Sequence, residues 1–278
     1  DAFNNLVPGR PVTVSVNTPT DPYADAVSTT DVNTGLGYTP PMTVTLRRAA
    51  TGHYLAATDY TSSGLSADPQ SSTFTVNAAA PVGFQLVMPG QSAVPGSGNY
   101  PSGGLTGAIS TPTAGAPFTA TVNLVDKYMN VYTTLAPQPQ VYLYTNDAYD
   151  IDPATPPLIA GSLPQTDTLV TKTTSSVISA FPDGGLGAVC TGNPPTNICR
   201  ADAPAAVTQP FQVFASTAVA LQVILPGETQ APGKCAQPAC RSLAPSEGLP
   251  GKNGTPTPYI VTSAAMSAKV YLVDAYFN

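Results

Sequence analysis

Few residues in this chain are equipped for chemistry. His53 is the single histidine, so a Ser-His-Asp or Cys-His site has to recruit it, and no Gly-x-Ser-x-Gly turn accompanies it. Within Thr51-Gly-His-Tyr-Leu55 it reads as a turn or strand-edge residue rather than a general base. The run Gly248-Leu-Pro-Gly-Lys252 has the wrong spacing for a phosphate-cradling loop. Carboxylates are better supplied. Asp147, Asp150 and Asp152 cluster near Asp126 in repeat logic, and Asp21 and Asp25 stand in the equivalent stretch after Asp1. A glycosidase needs two unlike carboxyl environments beside a sugar groove. With no Trp, and Glu228 and Glu247 as the only glutamates, that platform is poorly furnished. Hard oxygen ligands at a domain junction suit calcium better, with Asp126, Asn130, Asp147 and Asp150 as candidate ligands. The competing and preferred reading makes these residues Asx turns at strand ends. No enzyme is expected, and calcium is the one candidate cofactor.

The four cysteines fall as two close pairs, Cys190 with Cys199 and Cys235 with Cys240. No histidine lies near either pair, and the Pro-containing spacers lack the usual two-residue knuckle of a four-thiolate zinc site, the alternative weighed here. Two local disulfides are expected, each contributing about 2–3 kcal/mol in the chain-entropy model and implying an oxidising, extracellular setting.

Such side chains have to be held by strands. Only 9% of the 278 residues are charged, against about 25% in an average domain, while 31 prolines and 23 glycines interrupt the chain. Long helices do not fit that punctuation. Hydrophobic residues reach 42%, enough to fill a core. A net charge of -6 offers no basic stripe for nucleic acid or anionic lipid. No apolar run is long enough for a membrane span, and Asp1-Ala-Phe-Asn-Asn5 carries no signal-peptide pattern, so any export signal is expected outside this sequence. Alternation of Val12, Val14 and Val16 with Thr13 and Ser15, and of Ala120, Val122 and Leu124 with Thr121 and Asn123, predicts strands with one buried face. Further strands are predicted at residues 42–47, 72–76, 141–144, 169–178, 211–215 and 259–273, which together suggest Greek-key sandwiches. Residues 92–112 and 184–206 are predicted to be long surface loops.

The chain also repeats itself. Phe84-Gln-Leu-Val-Met-Pro-Gly-Gln91 matches Leu221-Gln-Val-Ile-Leu-Pro-Gly-Glu228 at an offset of 137, and Phe74-Thr-Val-Asn keeps that offset to Phe211-Gln-Val-Phe. Ala120-Thr-Val-Asn-Leu-Val-Asp126 matches Ala268-Lys-Val-Tyr-Leu-Val-Asp274 at an offset of 148. Asp126-Lys-Tyr-Met-Asn130 resembles both Asp274-Ala-Tyr-Phe-Asn278 and Asp1-Ala-Phe-Asn-Asn5. Residues 83–217 therefore read as one complete repeat, residues 218–278 as the first strands of another, and residues 1–82 as its later strands.

Leu225-Pro-Gly-Glu228, then Gly254-Thr-Pro-Thr257 and the strand end Val270-Tyr-Leu-Val-Asp-Ala-Tyr-Phe-Asn278, resemble the bacterial Ig-like tandem repeats of very large surface and extracellular proteins. That resemblance implies an all-β fold of two immunoglobulin-like β-sandwich repeats, one split between the chain's ends. The expected function is a structural segment of an extracellular filament or giant surface protein, joined head to tail by strand complementation or by covalent continuity. Val270, Leu272 and Asp274 with Val12, Val14 and Val16 are the candidate assembly residues, and identical subunits or adjacent repeats the partners. The alternatives are an adhesin or glycan-binding stalk module and a closed, non-catalytic two-domain monomer.

Overall fold

The computed structural model describes residues 5–25, 29–61, 65, 70–154, 156–183, 206–236, 240–259 and 265–278. Among them there is no α-helix, only one 3-10 turn at Pro245–Glu247, as the density of prolines and glycines demands. In chain order the strands are β1 (Thr13–Asn17), β2 (Thr30–Asp31), β3 (Ala50–His53), β4 (Ala56–Asp59), β5 (Phe74–Val76), β6 (Pro81–Val87), β7 (Ser92–Ala93), β8 (Leu105–Thr106), β9 (Phe118–Asp126) and β10 (Gln140–Thr145). There follow β11 (Ser162–Asp167), β12 (Thr173–Ser176), β13 (Ile178–Asp183), β14 (Ala206–Val207), β15 (Phe211–Val213), β16 (Ala220–Ile224), β17 (Glu228–Gln230), β18 (Lys252–Gly254) and β19 (Lys269–Val273). The fold is all-β, built from several antiparallel sheets and consistent with β-sandwich architecture.

The chain forms two compact units. Asp1–Val82, Ala93–Leu105 and Val125–Tyr132 make the first; Gly83–Ser92, Thr106–Leu124 and Thr133–Asn278 make the second. These boundaries differ from the repeat windows because residues 125–132 are tied to the first unit by the Asp126 and Asn130 side chains, and residues 93–105 to them by the backbone bonds Gly96 N–H to Tyr128 O and Tyr100 N–H to Lys127 O, each 2.8 Å.

Both units are drawn to one plan. In the first, β1 pairs antiparallel with β4, and β3 with β5; in the second, β10 pairs antiparallel with β13, and β12 with β15. The second unit also holds the three-stranded sheet β11-β9-β6 and the two-stranded ribbons β16-β19 and β17-β18. Its core is apolar and nearly solvent-free: Val122, Val141, Leu143, Leu169, Val170, Ile178 and Val213. The first unit's buried set is more polar, with Ser15, Asp21, His53, Asp126 and Asn130 beside Val12, Val125 and Met129.

Three strand expectations change. Residues 42–47 lie outside every strand, although their alternation is strand-like; the reason is a missing partner, taken up below. The predicted strand at 259–273 contracts to Lys269–Val273, residues 260–264 lying outside the described set, and that at 169–178 becomes β12 and the start of β13. Across residues 12–16 the strict alternation fails: Val12, just before β1, and Ser15 are buried, whereas Val14 and Val16 are half-buried. Residues 92–112 do run as loop, interrupted by the short pair β7-β8, while 184–205 lie outside the described residues.

Candidate assembly surface

Positions within the repeat are set by buried carboxylates that grip backbone. A carboxylate can close a turn by accepting the N–H two residues ahead, and its second oxygen then remains free to hold another strand. In Asp126-Lys-Tyr-Met-Asn130, Oδ1 accepts the N–H groups of Tyr128 at 2.8 Å and Asn130 at 3.0 Å, and Oδ2 accepts that of Ala79 at 2.9 Å. The Asn130 side chain then donates to Arg47 O and accepts from Ala49 N–H, each at 2.8 Å. Asp274-Ala-Tyr-Phe-Asn278 repeats this bond for bond. Asp274 takes the N–H groups of Tyr276, Asn278 and Ser216 at 2.9, 2.9 and 2.8 Å, and Asn278 reaches Val170 O at 2.9 Å and Lys172 N–H at 2.6 Å.

A second aspartate grips the same target in each unit. Asp21 accepts from Tyr23, Arg47 and Arg48 N–H at 3.0, 2.6 and 3.0 Å; Asp147 accepts from Tyr149, Val170 and Thr171 N–H at 3.1, 2.8 and 2.7 Å. Burial alone would raise the Asp21 carboxyl, but the three N–H donors outweigh it and hold it below its ordinary value. These clamps align residues 47–49 with 170–172, and so align Thr43-Val-Thr-Leu46 with Thr166-Asp-Thr-Leu169. Sequence reading missed this third match because only two threonines and a leucine carry it.

The four candidate calcium ligands are thereby placed. Asp126 and Asn130 serve one clamp in the first unit, and Asp147 serves one in the second. Asp150 is different: fully buried, it accepts a hydrogen bond from the Thr145 hydroxyl while its Oδ1 has no hydrogen-bond partner. Burial, with the carboxylates of Asp147, Asp167 and Asp152 nearby, pushes it up to about 8, and burial pushes Asp167 up to about 7. Among the described residues no group of three or more His, Cys, Asp or Glu side chains is arranged to hold a metal ion.

His53 is buried with Nδ1 2.9 Å from Thr20 Oγ1 and Nε2 2.9 Å from Arg48 O, so both ring nitrogens hold backbone and hydroxyl groups in place. Cys235 and Cys240 form a disulfide packed with Val170 against Tyr149, Tyr276 and Phe277. Cys190 and Cys199 lie outside the described residues.

The remaining feature is the ribbon β16-β19. Its register sets Leu221 opposite Leu272 and Val223 opposite Val270, so these four side chains share one face; Gln222 and Ile224 point the other way and are buried, as is Val273. Both faces of this ribbon thus carry apolar residues, the pattern of strands covered on two sides. Only one side is covered. Leu221, Val223, Val270 and Leu272 are 71, 44, 60 and 69% exposed. Their repeat counterparts Phe84, Leu86, Val122 and Leu124 are 6, 4, 0 and 6% exposed, in a sheet where β9 is also paired with β11. Of the sequence-predicted assembly residues, Val270 and Leu272 lie on the open face, Asp274 is buried in its clamp, Val12 is buried, and Val14 and Val16 are half-buried.

No family model, curated protein or solved structure matches this chain. Among the described residues no helix is long and apolar enough to cross a membrane.

Proposed function

We propose that the protein is a structural, non-catalytic subunit or segment of an extracellular filament or tandem-repeat surface protein, built of immunoglobulin-like repeats and joined head to tail. One observation carries this reading: four apolar side chains that are 0–6% exposed in the first copy of the repeat are 44–71% exposed in the second. A contiguous apolar face on a ribbon whose one charged residue is Lys269, at its end, marks an interaction surface, and the unpaired edge of β19 invites a further strand. The contact is heterologous, the ribbon of one copy meeting a different surface of the next, and a heterologous contact that does not close on itself produces fibres. Both ring nitrogens of His53 are engaged, with Thr20 Oγ1 and Arg48 O, which supports a structural role for that residue. The Cys235–Cys240 disulfide agrees with an oxidising location outside the cytoplasm.

Sedimentation velocity and electron microscopy across a dilution series test the reading. The expected result is linear oligomers whose length grows with concentration. A monodisperse monomer at every concentration, or a closed dimer that does not extend, overturns it.

A further inference from the structure

The head-to-tail reading leaves open which residues cover the ribbon, and the internal repeat answers this. In the second unit the strand paired with β9 is β11, in the register Leu163 opposite Val122, Gln165 opposite Ala120 and Asp167 opposite Phe118. The clamp alignment places residues 39–44 where β11 stands, and the offset of 148 places residues 266–271 where 118–123 stand. Resting on the head-to-tail reading, we propose that the strand added to β19 is residues 39–44 of a second copy, antiparallel, with Pro40 opposite Val270, Met42 opposite Ala268 and Val44 opposite Met266.

Residues 39–44 are ready to be a strand and are not one. Among the described residues no backbone hydrogen bond ties them to another residue, and from Pro41 to Leu46 exposed and half-buried side chains alternate. The half-buried set, Met42, Val44 and Leu46, corresponds to Gln165, Asp167 and Leu169, all buried in the paired copy. The prolines fit an edge strand. Pro164 of β11 corresponds to Pro41; in an antiparallel ladder its nitrogen faces away from β9, where no donor is needed. Pro40 removes one N–H donor from the ladder, and Val270 still donates to its carbonyl. At the entry to the strand Leu124 N–H donates to Gly161 O, and the residues at the corresponding positions are Leu272 and Tyr38. One side-chain pair is repeated almost atom for atom. The hydroxyls of Thr119 and Thr166 lie 3.1 Å apart, and their counterparts are Ser267 and Thr43, again two hydroxyls.

A second place in the first unit also lacks cover. In the second unit residues 112–114 run parallel to the end of β15, with Phe214 N–H donating to Pro112 O and Ala114 N–H to Phe214 O. The counterpart of Phe214 is Asn77, which makes no such bridge among the described residues. Phe211 and Val213 are accordingly buried, while their counterparts Phe74 and Val76 are exposed and half-buried. The first unit therefore lacks at two places the cover that the second unit possesses, and the first of them corresponds to what β19 would supply from a neighbouring copy.

Register-specific crosslinking tests this. Full-length T43C/S267C, purified reduced at the two new thiols and then mildly oxidised, is expected to give a ladder of disulfide-linked oligomers on a non-reducing gel, while T43C/Y271C, four residues out of register, stays largely unlinked. Sedimentation of both variants before oxidation separates the two levels of the claim. If both assemble but crosslink equally or not at all, the pairing of residues 39–44 with β19 is overturned and head-to-tail assembly stands. If neither assembles and T43C/S267C closes an intramolecular bond, both fall, and the chain is a monomer that covers its own ribbon.

Discussion

Replacing Asp126 with alanine isolates the clamp on which the first unit depends. The carboxylate is buried and accepts three backbone N–H bonds, from Ala79, Tyr128 and Asn130, besides the Asn130 amide. Each buried donor left without an acceptor costs about 1–3 kcal/mol, and with some relaxation of the loop the substitution is expected to cost about 3–5 kcal/mol. That is a large share of the roughly 5–15 kcal/mol by which a domain is stable. Urea unfolding followed by hydrogen exchange and mass spectrometry reads the effect by segment. Peptides from residues 1–82 and 125–132 lose protection, while those from 133–217, held by the intact Asp274 and Asp147 clamps, keep it. Asp126→Asn retains one carbonyl acceptor and is expected to lose less than half as much. A loss under 0.5 kcal/mol for Asp126→Ala, or an equal loss of protection in both units, refutes the reasoning.

Further predictions concern other buried groups. Asp150 and Asp167 have folded-state values raised to about 8 and about 7 against an ordinary 3.8, so the folded state binds protons that the unfolded chain has released. Stability from these groups is fully present below about pH 4 and is lost as pH rises through 7 and 8; the melting temperature of the second unit should fall by roughly 5–10 °C between pH 5 and pH 8.5, measured by calorimetry in metal-free buffer, and Asp150→Asn should flatten that slope. His53→Ala removes the bridge between Thr20 and Arg48 O and leaves a cavity, with an expected cost of about 2–4 kcal/mol in chemical denaturation. Reduction of the Cys235–Cys240 bond should lower stability by about 2 kcal/mol in the same assay, with the loss of exchange protection centred on residues 231–253.

Much of this was written in the sequence at the level of pattern. The Pro and Gly punctuation and period-two valines predicted an all-β chain, which the fold shows, and the strand predicted at 259–273 contains β19 with Val270 and Leu272 on one face. Clamp chemistry was legible only in part. Asx turns after Asp126 and Asp147 follow from local sequence, but their second oxygens hold Ala79, Val170 and Thr171, contacts that depend on the tertiary fold. Residues 42–47 were predicted as a strand from alternation; the pattern is real, yet a strand needs a paired neighbour, and among the described residues only Asp25 N–H, donating to Thr45 O, makes a backbone-to-backbone hydrogen bond to this stretch. His53 gave no local hint of burial, since its partners are remote in sequence or fixed by a remote group: Thr20 lies in a turn and Arg48 in the stretch gripped by Asp21.

The account stands on one claim, that the outer edge and face of β19 are covered only when copies meet. Amide hydrogen exchange at Val270 and Leu272, compared between dilute and concentrated protein, measures this directly. Covering the four exposed side chains is worth on the order of 5 kcal/mol before the cost of association, ample to slow exchange strongly in the assembled form. The expected result is fast exchange at these two amides in dilute solution, strong protection on concentration, and steady protection at Val122 and Leu124 in both. Equal protection of Val270 and Leu272 at every concentration, or rapid exchange persisting in assembled material, contradicts it.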